Sequence, residues 1–339
     1  MLKVAILGFG FIGRAHGEAY ARLPNVKLVA VGGCRQERVR EWKSPYAIQF
    51  YAGPDALLES ADADIVDICL PTFMHEEFVT KAAEKGMHVI CEKPLALTVE
   101  AVDRMLAAVR KAGVTFMVAQ VLRFFAHYRK CRELVRDGSL GNVFFASASR
   151  LAEPPRWADW FRDPDKSGGA LFDLQVHDLD YLMNLFGVPD SVFAVGLQSD
   201  SGSWDHVASS LSYPASKVTI EASYRMAPGW PFTSALRLMG TAGSVEYGFR
   251  VQGNVDVVEQ AQHSLILYSK GGTATRFEID DPDPYLRELK YFVDVVERGE
   301  QPDAVRPADA RSVIAVLQAT KQSLETGKVV DLRQHMAIA

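Results

Sequence analysis

The stretch "KVAILGFGFIG", residues 3–13, decides how this chain folds. An apolar run without polar alternation leads directly into glycines at 8, 10 and 13. Ile12, Ala15, Ala19 and Leu23 then recur at helical spacing. A buried strand that turns on glycine and opens a helix is the setting in which a G-x-G-x-x-G pattern carries meaning. In that setting Gly8 permits the tight turn, and Gly10 lets a pyrophosphate approach the backbone beside Phe11 and Ile12. Gly13 lets helix and strand pack closely, while the helix N-terminus offers N–H donors. The plainer alternative is a tight strand–helix turn with no ligand.

Outward from this unit the same alternation repeats. "VKLVAV" (26–31), "DIVDICL" (64–70), "HVIC" (88–91) and "TFMVA" (115–119) are further apolar runs. Helical patterns lie between them: Phe78, Ala82 and Ala83, then Val102, Leu106 and Val109. Such runs imply strands covered on both faces, hence an α/β domain with a parallel, doubly wound sheet. From about residue 140 the character changes. "GNVFFASASRL", "SVFAVGLQS", "VASSLSYP", "KVTIEASYRM", "SALRLMGTAGSVEYG" and "HSLILYS" follow at short intervals with Gly, Pro and Ser between them. They predict an α+β domain with a large, mostly antiparallel open sheet. A helix is expected at 170–186, stopped by Gly187 and Pro189, and two more close the chain. The expected domains are 1–121 and 122–339.

The 339 residues exceed one ordinary core, and 48% hydrophobic with 23% charged is an ordinary soluble composition. A net charge of −5 without a basic tract argues against nucleic-acid or anionic-membrane partners. Cys34, Cys69, Cys91 and Cys131 form no metal-type spacing, and no metal is expected. With no export signal and no apolar run of spanning length, a cytoplasmic protein is expected.

In parallel sheets ligands bind beyond the carboxyl ends of the strands. After the second run stand Gly32, Gly33, Cys34 and Arg35, with Arg38 beyond, where a carboxylate would otherwise bind a ribose 2′-hydroxyl. Two arginines without a carboxylate favour NADP(H) slightly, with NAD(H) the alternative. The third run ends on Pro71, Thr72 and His75, the fourth on Glu92, Lys93 and Pro94, the fifth on Gln120 and Arg123. Cofactor contacts are expected from Gly8, Gly10, Phe11, Ile12, Gly13, Gly33, Cys34, Arg35, Arg38, Pro71, Thr72, His75, Glu92, Lys93 and Gln120.

"GFGFIGRAH", "ICLPTFMH", "VICEKPLAL" and "SGGALFDLQVHDLDYL" together resemble the Gfo/Idh/MocA oxidoreductases, named for glucose–fructose oxidoreductase and inositol dehydrogenase. The resemblance covers nearly the whole chain. It implies that Lys93, of the E-K-P motif, lies between nicotinamide and substrate. It also implies that His177 is the acid/base residue with Asp173 as its aspartate. Two departures stand near the expected substrate pocket: Gln175 where Gly is frequent, and Gln120 where Asn or His is frequent.

Four positions apart on a helix, Asp173 and His177 share a face, and a carboxylate beside an imidazole suits a general base. A histidine satisfying only a local hydrogen bond, and a metal site of Asp173, His177 and Asp178 or Asp180, are the alternatives. Gly168 and Gly169 permit close approach to a ligand. "RWADWFRD" (156–163) sets Trp and Arg where a polyol would suit them, or where a buried contact would. Substrate contacts are expected from Lys93, Arg123, Trp160, Asp173, His177 and Tyr285. The expected activity is NAD(P)-dependent hydride transfer to or from a secondary alcohol or ketone of a sugar, cyclitol or polyol. An NAD-dependent glycosidase with transient redox and a non-catalytic NAD(P)-binding regulator are the alternatives. A homodimer or homotetramer is expected.

Overall fold

A computed structural model describes residues 1–42, 44, 46–155, 159–251, 261–280 and 283–335. In chain order the first elements are β1 (Leu2–Leu7), α1 (Phe11–Tyr20), β2 (Val26–Gly32), α2 (Gln36–Glu41), β3 (Gln49–Tyr51) and α3 (Pro54–Ser60). Next come β4 (Ile65–Ile68), α4 (His75–Glu84), β5 (His88–Cys91), α5 (Val99–Ala112), β6 (Phe116–Val118) and α6 (Ala126–Arg136). Then follow β7 (Val143–Leu151), α7 (Pro164–Ser167), α8 (Gly169–Asp173), α9 (Gln175–Phe186), β8 (Ser191–Gln198), β9 (Trp204–Ser212) and β10 (Lys217–Ser223). The chain continues with β11 (Phe232–Gly240), β12 (Gly243–Val251), β13 (Gln262–Ser269), β14 (Ala274–Arg276) and α10 (Pro284–Arg298). It closes with α11 (Pro307–Thr326), β15 (Val330–Asp331) and α12 (Leu332–His335).

Six strands form a parallel sheet in the order β3-β2-β1-β4-β5-β6, the doubly wound arrangement whose order reverses beside β1. All four residues of β4 and all three of β6 are buried, as runs without polar alternation require. The remaining nine strands form one sheet, β14-β13-β12-β11-β7-β10-β9-β8-β15. Its pairs are antiparallel except β7 with β10. Here burial alternates along β7 and β9, the mark of a sheet with one open face.

The chain divides into two units, Met1–Phe124 with Pro282–Ile314, and Phe125–Asp281 with Ala315–Ala339. The expected division at 121/122 thus needs a correction, because 282–314 returns to the first unit. Leu289, Phe292, Val293 and Val296 on α10 are buried in the same cluster as Ala19, Tyr20 and Leu23 at the end of α1. The amphipathic face of α10 covers apolar surface that β1 and α1 would otherwise expose. Among the described residues no helix is long and apolar enough to cross a membrane.

Candidate functional site

In the first unit the glycine turn has the geometry that its spacing requires. Gly8 has a φ of +88°, open to glycine at little cost. A Cβ at Gly13 would fall inside contact distance of the Gly8 carbonyl oxygen, so this position serves strand–helix packing. At Gly10 the nearest neighbour of such a Cβ is Arg38 Nη1, 3.7 Å away, which leaves the turn open. Gly10 is the N-cap of α1, and no side chain caps the helix there. The uncapped N–H groups of Phe11, Ile12 and Gly13 and the open approach at Gly10 therefore fit a pyrophosphate. Gly33, with a φ of +70°, lies against Gly8 and Leu70. Arg35 caps α2 and is exposed, as is Arg38. Cys34 is half-buried, and burial pushes its thiol up.

The exits of β4 and β5 are joined by His75. Its Nδ1 lies 3.0 Å from the Pro94 carbonyl oxygen and its Nε2 2.8 Å from that of Leu70. The ring is buried, and burial lowers its pKa. His75 was expected to touch cofactor. Both of its nitrogens face backbone carbonyls, so it also ties together two strand ends that bear Pro71, buried Thr72 and Lys93. Lys93 is half-buried, the peptide joining it to Pro94 is cis, and its backbone N–H donates to Glu92 Oε2 at 3.0 Å. Gln120, at the exit of β6, is buried.

Two expected substrate residues have partners of their own within the first unit. Arg123 is buried and donates from Nη1 to the Ala304 carbonyl oxygen at 2.8 Å and to Asp309 Oδ2 at 2.9 Å. Asp309 is correspondingly depressed: burial opposes its ionisation, but Arg123 and Arg306 override it. The guanidinium thus anchors the start of α11 to the exit of β6. Tyr285 is half-buried and rests its ring against His16, with centroids 5.6 Å apart.

In the second unit the expected helix at 170–186 is two helices. Leu174 N–H reaches the Ala170 carbonyl four residues back, but His177 N–H returns to Leu174 itself at 3.3 Å. The tighter turn divides α8 from α9. From Gly169 to Met183 every residue is buried except Asp173 and His177. The Tyr224 hydroxyl, just past β10, donates to Asp173 Oδ2. Next to His177, Asp178 is buried and takes both arms of Arg150 from β7, at 2.9 and 3.0 Å. Burial pushes the Asp178 carboxyl up and Arg150 pulls it back. Already committed to Arg150, Asp178 drops out of the metal set considered with Asp173 and His177.

Gln175 is wholly buried and donates to Ser209 Oγ at 2.5 Å, so this departure from the family pattern ties α9 to the sheet. Gly168 and Gly169 were expected to admit a ligand. A Cβ on Gly168 would meet Phe172, and one on Gly169 would meet Trp204 O at 2.8 Å, so both glycines serve packing. Trp160 is half-buried and stacks on Phe161 at 4.0 Å; residues 156–158 lie outside the described residues.

With this geometry in place, comparison with known proteins is decisive. Residues 2–120 match the model of the Gfo/Idh/MocA oxidoreductase family, NAD-binding Rossmann fold, and 128–246 match the family's C-terminal domain. A D-glucoside 3-dehydrogenase of Escherichia coli is 30% identical over 98% of this chain and 97% of its own. The chain belongs to the Gfo/Idh/MocA oxidoreductase family. It is an NAD(P)-dependent oxidoreductase. A myo-inositol 2-dehydrogenase of Thermotoga maritima is 28% identical over 98% of this chain and 99% of its own. The aldose–aldose oxidoreductase of Caulobacter crescentus, solved with glycerol, superposes with a TM-score of 0.83 at 25% identity, covering 98% and 99% of the two chains.

His16, Asp67 and Tyr224 escaped the sequence reading. A signal for one was present: Asp67 stands inside the buried run "DIVDICL", where a carboxylate demands a partner. Among the described residues, His16, Asp67 and Cys69 form the one trio of metal-ligand type, with donor atoms within 4.8 Å of one another. Burial and the Asp67 and Glu92 carboxylates hold the Cys69 thiol well above its usual value. It therefore stays a thiol, whose Sγ donates to Asp67 Oδ1 at 3.2 Å.

Proposed function

We propose that the protein transfers hydride between NADP(H) or NAD(H) and a secondary alcohol or ketone of a sugar, cyclitol or related polyol. The observation that carries this reading is that Asp173 and His177, one on either side of the turn at Leu174, are the two half-exposed residues in a stretch otherwise buried. Burial of the surroundings fixes both side chains, as acid–base chemistry requires. When bound, the nicotinamide supplies the hydride acceptor or donor. In this reading His177 takes the hydroxyl proton during oxidation; Asp173, held by Tyr224, is the carboxylate that would orient it. Lys93 polarises the reacting oxygen.

The preference for NADP(H) is supported by the exposed Arg35 and Arg38 and by the lack of a carboxylate at the end of β2. Arg38 Nη1 reaches the edge of the glycine turn, 3.7 Å from where a Cβ on Gly10 would stand, and a guanidinium there suits a 2′-phosphate. A dinucleotide-binding unit of residues 1–124 with 282–314, and a substrate unit formed by the rest, fit this division of labour, with α10 serving the former. Four free cysteines fit a reducing, cytoplasmic setting. A homodimer or homotetramer is supported by the open sheet face, where exposed Phe193 and Val195 share a shallow groove with Arg237 and Glu246, a mixture suited to a second copy of itself.

A panel of polyols and aldoses, assayed by nicotinamide absorbance with NAD and NADP in parallel, tests the assignment. Turnover of at least one secondary alcohol is expected, with NADP the better cofactor. Lys93→Ala is expected to lower turnover by about a hundredfold or more, with the melting temperature nearly unchanged. Near-normal turnover in that variant removes Lys93 from the chemistry. Product release without change in bulk NAD(P)H would replace the dehydrogenase reading with transient redox.

A further inference from the structure

Glu92, the carboxylate ahead of Lys93, is one end of a buried line of charge. His16, on α1 three residues past the last glycine of the turn, is wholly buried. Its Nδ1 lies 2.9 Å from Asp67 Oδ2 on β4, and its Nε2 3.5 Å from Glu92 Oε1 beyond β5. The other Glu92 oxygen, Oε2, accepts the Lys93 backbone N–H. A continuous path of contacts therefore runs from the middle of one strand to the functional exit of the next.

The remaining groups around the ring come from three places in the chain. Just past the end of β4, Cys69 Sγ lies 3.6 Å from Nδ1. From α1, Tyr20 is buried one turn beyond His16; from α10, Tyr285 lies against the ring, and buried Glu288 adds negative charge. Nδ1 carries the hydrogen bond, to Asp67; Nε2 makes none, and its 3.5 Å approach to Glu92 is an ion-pair contact that only the protonated ring supplies. Burial alone would lower the pKa of His16. The bonded Asp67 carboxylate, with Glu92 and Glu288 behind it, overrides burial and lifts it to about 9.

Buried ionic groups cost desolvation and add little net stability over well-packed apolar side chains. What this one supplies is direction. We propose that His16 is a positioning residue: hydrogen-bonded to Asp67 and ion-paired across 3.5 Å with Glu92, it holds the Glu92 carboxylate where it captures the Lys93 N–H, and so fixes how β5 presents Lys93. The role rests on the function assigned to Lys93 above, but the geometry it controls is measurable without any substrate.

Hydrogen exchange on the intact protein reads that geometry. The His16→Asn amide takes the place of Nδ1 and leaves Glu92 unsupported; the longer His16→Gln reaches toward the place of Nε2. In His16→Asn, exchange of the Lys93 amide is expected to rise about tenfold or more, with peptides over β1 and β4 unchanged. In His16→Gln it is expected to stay within about threefold of the parent. Should His16→Asn fail to fold, Glu92→Ala removes the same acceptor from the other side and carries the same expectation. An unchanged Lys93 amide, or acceleration spread over every peptide, overturns the proposal.

A double-mutant cycle supplies the second readout, with NADPH affinity followed by fluorescence. His16→Asn is expected to weaken binding in the parent protein and to change it less than about twofold in Lys93→Ala. Additive losses overturn the proposal by making His16 a support of the core in general. A parent protein that binds neither nicotinamide cofactor would defeat the functional reading instead, and exchange alone would then decide the role of His16.

Discussion

Gly10 and Gly13 stand three residues apart in one turn and answer to different demands. A side chain at Gly13 collides with backbone, whereas at Gly10 it meets only the tip of a flexible arginine. Gly13→Ala is therefore expected to destabilise the protein by about 1–3 kcal/mol, as overpacking does. Gly10→Ala is expected to leave the urea midpoint almost unchanged while raising the cofactor dissociation constant about tenfold, or about 1.4 kcal/mol. Denaturation and fluorescence titration of the two variants separate a packing glycine from a ligand glycine. His16 makes a pH-dependent prediction at the same scale. Its pKa is raised on folding, so its contribution is fully present below the unfolded value near about 6.5 and is lost as pH rises through about 9. Stability is expected to fall across that window by on the order of 3 kcal/mol at most, and His16→Asn is expected to flatten the decline. A parent protein equally stable at both ends of the window contradicts a buried imidazolium.

At the scale of elements, the rotation of α9 about its axis decides whether His177 emerges. The Arg150–Asp178 pair sets that rotation by bonding β7 to the residue next to His177. Arg150→Ala is expected to cost about 3–5 kcal/mol in a denaturant titration, because it strands a buried carboxylate. Replacing both partners with apolar residues of similar size, Arg150→Met with Asp178→Leu, is expected to recover most of that loss. The elements themselves were largely legible. Five strands of the first sheet lie within or beside apolar runs, and the alternating strands of the second follow their period. The edge strand β3 was missed, because "QFY" is three residues long and carries no period. The division of α8 from α9 was also missed. Its cause is one shortened hydrogen-bonding step at Leu174, in a sequence with no glycine or proline at that point.

At the scale of the whole molecule, the first unit is discontinuous in sequence. Its core includes α10, more than 160 residues beyond β6 in chain order (from Pro284 against Val118). A fragment of residues 1–121 is expected to lack cooperative unfolding, since the apolar surface that α10 covers is then exposed to water. Joining 282–314 to 1–124 through a flexible linker is expected to restore a cooperative transition, measured by near-ultraviolet circular dichroism. The sequence by itself determined what is local or periodic: the glycine turn, the two kinds of sheet and the strand exits that bear Lys93. These follow from backbone sterics and from which faces avoid water. Only the tertiary structure decided the partners of the buried polar groups. It set His16 between Asp67 and Glu92, Arg123 on Asp309, Arg150 on Asp178 and Tyr224 on Asp173. A buried charge must meet its opposite or be neutralised, a carboxylate by gaining a proton and a cation by losing one. Which distant residue meets it depends on how the strands are ordered, and spacing along the chain does not record that.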